Sequence, residues 1–315
     1  ILALTTQNNI SGTYVGSTGV LTITGTASKE NYQTALRSIS YHSTSEDPTI
    51  TAGSRTVSWT VTDANSESLG AKSSTTVTST VNITPINDAP VLTADGTLAY
   101  TENETATVID NTITITDDDD IQIDGGTVTI SSGITTGDIL ALTTQNNISG
   151  TYDGSTGVLT ITGTASKENY QTALRSITYH STSEDPTITS SSRTITWEVT
   201  DANSDGAGVG ISSSVTSTIT IIATNDKPVI SVNNISFTEN SSAAIIDNTI
   251  SVNDSDDSHL SGGTIAISSG FTSGDILTLG YGWGVTGNYN SDTGVLTLSG
   301  TTDLNSYENS MRTIT

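Results

Sequence analysis

Apolar and hydroxyl side chains alternate with period two over much of this chain. Thr112 to Thr116 reads TITIT, Thr127 to Ile130 reads TVTI, Val158 to Thr162 reads VLTIT, and Thr194 to Thr200 reads TITWEVT. Successive side chains of an extended strand point to opposite faces, so each segment predicts a half-buried strand. The inward sets are Ile113 and Ile115, Val128 and Ile130, Leu159 and Ile161, and Ile195, Trp197 and Val199. Threonine covers the wet face, where β-branching suits a pleated surface. One stretch departs from this rhythm. Within Ser166 to Arg175, the residues Tyr170, Ala173 and Leu174 recur at i, i+3 and i+4, which predicts one or two helical turns with that face inward. About seven to nine short strands between Gly, Asn and Ser turns predict an all-β, two-sheet sandwich with one short helix per repeat.

The pattern repeats. Ile1 to Asp47 returns almost letter for letter as Ile139 to Asp185, an offset of about 138 residues, which suits a whole domain rather than a solenoid coil. A diverged third copy starts at Ile276, where Tyr307, Met311 and Ile314 replace Tyr170, Leu174 and Ile177. Boundaries fall at Asn87-Asp88-Ala89-Pro90 and Asn225-Asp226-Lys227-Pro228, where proline cannot donate to a ladder and ends the strand. Residues 1–86 then read as the back part of one unit, 87–224 as a complete unit and 225–315 as the front of a third. The chain reads as an internal stretch whose outer units are truncated and which carries no signal pattern.

Composition sharpens the question of partners. Asp and Glu number 33 against 9 Lys and Arg, giving a formal charge of −24, which argues against nucleic acid as the partner, since binding its phosphates requires basic surface. Only 13% of residues are charged, about half the usual share, so the acids stand out as local clusters. Cysteine is absent, which removes disulfides, thiol nucleophiles and zinc–thiolate sites. No apolar run approaches the roughly 18 residues of a membrane helix.

The carboxylates gather at strand ends. Asp117 to Asp120 follows TITIT, and Asp254-Ser255-Asp256-Asp257 occupies the matching place in the third unit, so a D-x-D core is shared. Two like charges about 4 Å apart repel by roughly 4 kcal/mol at an effective dielectric of 20, a cost that a cation among the oxygens removes. Calcium accepts six to eight hard oxygens without imidazole or thiolate. A second cluster, Asp201-Ala202-Asn203-Ser204-Asp205-Gly206, opens like a calcium loop, although Ser212 stands where an EF-hand carries Glu and the flank is a strand. Its counterpart is Asp63-Ala64-Asn65-Ser66-Glu67, in which Asp63 and Asn65 persist as candidate ligands.

Together these residues resemble the cadherin pattern: Asn-Asp-x-Pro between units, an early Glu in Thr101-Glu102-Asn103 and Thr238-Glu239-Asn240, D-x-D after the second strand, and V-x-D before the final strands. The resemblance spans the whole chain and is nearest to the cadherin-like repeats of very long bacterial adhesins. Such adhesins are exported by type I secretion, carry RTX calcium repeats and act at the cell surface in adhesion and biofilm formation. The resemblance implies a Ca²⁺ junction at the second boundary from Glu102, Glu184 or Asp185, Asn225, Asp226, Asp254 and Asp256. At the first boundary it implies Glu46 or Asp47, Asn87, Asp88, Asp117, Asp119 and Asp201. Each set is one acid short, lacking the counterpart of Glu102 at the first and of Asp201 at the second. Glu239, the early acid of the third unit, is a further candidate ligand. Two departures are plain: Ala89 or Lys227 replaces the second Asn of the family's N-D-N linker, and S-E-D-P replaces its L-D-R-E segment.

The implied function is an extracellular spacer whose partners are its own neighbouring repeats, with cell-surface glycans or proteins engaged through other domains and neither nucleic acid nor membrane insertion involved. A salt-adapted, solvating surface is the plainer reading of the acids, but it predicts scattered charge. His42, His180 and His259 read as loop or strand-end side chains, and Trp59 and Trp197 as core. Trp283, in Gly280-Tyr281-Gly282-Trp283-Gly284, either packs or binds a sugar, which leaves a glycan- or peptide-binding module as the alternative function. No G-x-S-x-G, H-E-x-x-H or phosphate loop is present, so an enzyme is not expected.

Overall fold

The computed structural model describes residues 1–315 except Asp205, on which part of the calcium-loop motif falls. In residues 87–224 the alternating segments assemble into two layers. The larger sheet has six strands in the order Ser149–Asp153, Val158–Ser166, Gln122–Ser132, Ser192–Asp201, Val215–Ile222 and Thr97–Thr101. All its pairings are antiparallel except the last, where Thr97–Thr101 runs parallel to Val215–Ile222. The second layer holds Asp138–Ala141, Thr178–Ser181 and Thr107–Val108, with Thr114–Thr116 pairing Val91–Thr93 beside it. Among its described residues the unit therefore has eleven strands rather than seven to nine, because several are only two or three residues long and too short to show alternation.

The predicted inward residues form one core. Ile113, Val128, Ile195, Trp197 and Val199 are fully buried, with Ile115, Ile130, Leu159 and Ile161 nearly so. Burying a side chain of this size contributes about 1.5–3 kcal/mol. The Trp197 indole keeps its polar edge satisfied by donating to Ser217 Oγ at 3.0 Å. The Thr112–Thr116 segment is a strand only from Thr114, because Asp110 Oδ1 accepts from the Thr112 N–H and hydroxyl and holds a turn there.

The predicted helix spans Lys167–Leu174, capped by Ser166, whose hydroxyl accepts from the Asn169 N–H. Tyr170, Ala173 and Leu174 are its buried residues, as the spacing requires. The helix also positions the acids. Gln171 Oε1 accepts from Ile115 N–H at 3.0 Å and Arg175 Nε donates to Ile113 O at 2.6 Å, so side chains take the place of a partner strand along this edge. The chain leaves that edge directly into Asp117.

The flanking segments follow the same plan in part. Residues 225–315 have their own core around Leu296, Leu298 and Tyr307, and their helix, Leu304–Met311, again ties the edge, through Glu308 to Val252 and Arg312 to Ile250. Residues 1–86 hold two hairpins, Ser11–Val15 with Val20–Thr24 and Ser54–Trp59 with Val77–Asn82, which match the Ser149–Asp153 with Val158–Ser166 and Ser192–Asp201 with Val215–Ile222 pairs of the complete unit. Trp59 is half-buried where Trp197 is fully buried, and it makes the same bond, to Ser79 Oγ at 2.8 Å.

Candidate metal centres at the repeat junctions

The two Asn-Asp linkers are built alike. Asn87 and Asn225 each donate a side-chain N–H to the carbonyl of the following aspartate, at 2.9 and 2.7 Å. The Asp88 N–H is taken by Asp119 Oδ2 at 2.7 Å, and the Asp226 N–H by Asp256 Oδ2 at 3.1 Å. Asp117 Oδ1 accepts from the N–H groups of Asp119 and Asp120, as Asp254 Oδ1 does from Asp256 and Asp257. The D-x-D-D run is thus a self-closed turn in both copies, and in the first it leaves Asp117 Oδ2, Asp119 Oδ1 and Asp120 Oδ2 without a partner.

At the first linker, oxygens of Asp117, Asp120 and Asp201 lie within 4.8 Å of one another. Asp201 sits at the end of the Trp197 strand and is fully buried; its carboxylate accepts from Asn203 N–H, Gly210 N–H and the Asn87 side chain. Asp120, also fully buried, takes both the N–H and the hydroxyl of Ser204, pinning the Asp201 loop to the D-x-D-D turn. Asp120 and its counterpart Asp257 are absent from the sequence-derived set. The signal was present, since the fourth position of the run is acidic in both copies.

At the second linker, Glu102, Glu184 and Asp226 bring ligand oxygens within 4.8 Å, and Asp254, Asp256 and Asp257 form a neighbouring group. Glu102 is held by the Thr224 N–H on Oε2 at 2.8 Å. Glu184 and Asp185, left as alternatives by the sequence, have different surroundings: Glu184 joins the cluster, while Asp185 Oδ1 accepts from Thr187 within its own turn. Asp47 does the same for Thr49, and Glu46 and Glu239 are exposed and outside these groups. Asn65 and Asn203 adopt left-handed backbone at φ 51° and 52°. Their Oδ1 atoms close their own loops by accepting from Gly70 and Gly208. Asp63 is exposed and holds the Asn65 and Lys72 N–H groups.

A buried acceptor without a donor is costly, and such atoms are rare in folded proteins. Among the described residues, the buried side-chain polar atoms lacking a partner are Asn87 Oδ1, Asp117 Oδ2, Asp119 Oδ1, Asp120 Oδ2, Glu102 Oε1, Asp226 Oδ2 and one nitrogen of His180. All but the last are oxygens at the two linkers. Burial, followed by smaller contributions that include repulsion from Asp119, pushes the Asp117 carboxyl up to about 6. Burial, opposed by the Thr224 N–H and reinforced by Asp226, Asp256 and Glu184, raises that of Glu102. A donor set of carboxylate and amide oxygens, free of sulfur and imidazole, fits a hard divalent cation such as Ca²⁺.

No known family model matches this sequence. Halomucin of Haloquadratum walsbyi is 28% identical over 270 aligned residues, which cover 56% of this chain and 3% of that protein. Among solved structures, the extracellular cadherin domains 1–4 of protocadherin gamma B7 align at 14% identity and TM-score 0.29, over 96% of this chain and 59% of theirs. Human CDH23 EC21-23 aligns at 15% and 0.30, over 77% and 66%. Mouse protocadherin-24 EC1-3 aligns at 13% and 0.30, over 96% and 77%. At such scores the assignment of an all-β sandwich rests on the strand pairing described above.

Proposed function

We propose that this chain is an extracellular spacer of a surface adhesin of the bacterial type, made of cadherin-like repeats whose junctions are stiffened by Ca²⁺ and serving cell adhesion or biofilm formation. The observation that carries the reading is the set of partnerless buried carboxylate and amide oxygens, all of which among the described residues lie at the two linkers. A solvating acidic surface accounts for exposed carboxylates but not for Asp120 and Asp201, which have no exposure.

In this reading Asn87, Asp117, Asp119, Asp120 and Asp201 hold the ion at the first linker, and Glu102, Glu184, Asp226, Asp254 and Asp256 hold it at the second. The bound cation supplies charge neutralisation. The chain supplies orientation: the helix fixes the D-x-D-D turn, and that turn grips the linker N–H. Asn65 and Asn203 shape their loops rather than ligate. Extracellular modules bind calcium at roughly 10⁻⁴ to 10⁻³ M, so occupancy is high outside a cell and low in cytosol.

Small-angle scattering tests the proposal. In millimolar calcium the chain should have a larger and sharper maximum dimension than in chelator, where repulsion splays the linkers. Identical profiles in the two conditions would end the reading.

A further inference from the structure

The third unit carries a surface feature that the other two lack. Where they present Thr6-Gln7-Asn8 and Thr144-Gln145-Asn146, it presents Tyr281-Gly282-Trp283. Tyr281 is 62% and Trp283 42% exposed, and their rings meet edge to face with centroids 4.6 Å apart. The exposure belongs to the loop itself, because Thr144 and Asn146 are also exposed in the complete unit.

The loop is rigidly built to show these rings. A β-carbon on Gly282 would run into the Val285 carbonyl, one on Gly280 would come within 2.8 Å of Thr313 O, and Gly284 has φ +87°. Thr313 Oγ1 receives the Tyr281 N–H at 3.0 Å and lies 3.1 Å from Tyr281 O, fastening the loop to the end of the helix. Large aromatic surface left in water costs free energy. A fixed display of that surface, ordered before any ligand arrives, reduces the entropy lost on binding.

Charge narrows the ligand. In a chain of net charge −24, residues 276–291 contain no charged side chain. The nearby Arg312 is committed to Ile250 O and Glu308. Within residues 276–291 no side chain neutralises an anion or pairs a cation. Gly280, Gly282, Gly284 and the hydroxyl of Thr313 flank the rings instead. The faces of neutral pyranose rings carry C–H groups that pack on the negative face of an aromatic ring, while their hydroxyls bond to hydroxyl and amide neighbours.

We infer that the Tyr281–Trp283 loop is a binding site for a neutral glycan. The test is titration of the whole chain with neutral oligosaccharides of glucose, galactose, mannose and N-acetylglucosamine, read by calorimetry and tryptophan fluorescence, in calcium and in chelator. A sulfated oligosaccharide and an arginine-rich peptide serve as comparators. At least one neutral oligosaccharide should bind and shift the emission, equally with and without calcium. Trp283→Ala and Tyr281→Ala should each weaken binding by about tenfold, and Trp59→Phe should leave it unchanged. Failure of every neutral sugar, binding only by a comparator, binding that needs calcium, or binding intact in the Tyr281→Ala/Trp283→Ala double variant overturns the assignment. The spacer reading stands or falls separately, on scattering.

Discussion

Arg193 Nε lies 2.6 Å from Asp138 Oδ2, and neither side chain reaches solvent. The pair is closed on all sides. Tyr179 donates to Asp138 Oδ1 at 2.6 Å, the Thr135 N–H donates to Oδ2, Arg193 Nη2 donates to Oδ1 at 3.3 Å, and the other guanidinium protons go to the carbonyls of Pro186, Ser190 and Ser192. Arg193 therefore knits the start of the Trp197 strand to the S-E-D-P turn that bears Glu184. Removing one partner leaves a buried charge alone, which costs about 3–5 kcal/mol. Asp138→Asn or Arg193→Met should lower the stability of the central unit by that amount in urea unfolding followed by Trp197. A joint replacement of both by apolar residues should cost less than the sum.

This network escaped the sequence reading for a physical reason. Its members lie far apart in the chain, and a single Arg in a strand pattern looks like a solvated edge residue. Trp197, Ile195 and Val199 were legible because period-two burial is local, and Tyr170, Ala173 and Leu174 because helical spacing is local. The linker acids were legible through repetition, since Asn87-Asp88 and Asn225-Asp226 stand at matching places. The choice between Glu184 and Asp185 was not, because it depends on which side chain turns back on its own loop. Asn203 had a ligand's spacing and a loop-closer's geometry, and what separates the two is its Oδ1, which accepts from the Gly208 N–H.

Asp120 and Asp118 make a matched pair of substitutions. Asp118 is exposed, while Asp120 is fully buried with Oδ2 unpartnered beside Asp117 and Asp201. Asp120→Asn preserves the shape and an acceptor for Ser204 but removes a charge, so calcium affinity at the first linker should fall by about tenfold or more. Asp118→Asn should change it little beyond general screening. Calorimetric titration of both variants separates a ligand from a bystander, and equal effects would remove Asp120 from the site.

Glu184→Gln and Asp185→Asn divide in the same way at the second linker. Glu184 faces Glu102 and Asp226, whereas Asp185 serves Thr187. The Glu184 substitution should weaken calcium binding and, without calcium, relieve repulsion on Glu102. The Asp185 substitution should leave affinity within about threefold and cost roughly 1 kcal/mol of stability through its turn. Reversed outcomes would exchange the two roles.

The metal-free chain should show an inverted response to mild acid. The Asp117 carboxyl is pushed up to about 6 and that of Glu102 is raised, both chiefly by burial. Unperturbed Asp and Glu titrate near about 4, so between roughly pH 6 and 4 the folded state holds protons that the unfolded chain does not. Stability in chelator must then rise as pH falls from 7 toward 5, because protonation quenches the repulsion that the fold imposes. Further acidification reverses the trend. Asp247 is held below the usual carboxylate range by the Thr249 hydroxyl and by the Asn233 and Thr249 N–H groups, and its contribution is lost once it is protonated. With calcium bound the slope between pH 7 and 5 changes sign, since protons now compete with the ion for the same oxygens. Thermal melts at pH 7, 6 and 5, with calcium and with chelator, read both slopes directly. Parallel curves in the two conditions would mean that the linker oxygens and the metal do not share their charge.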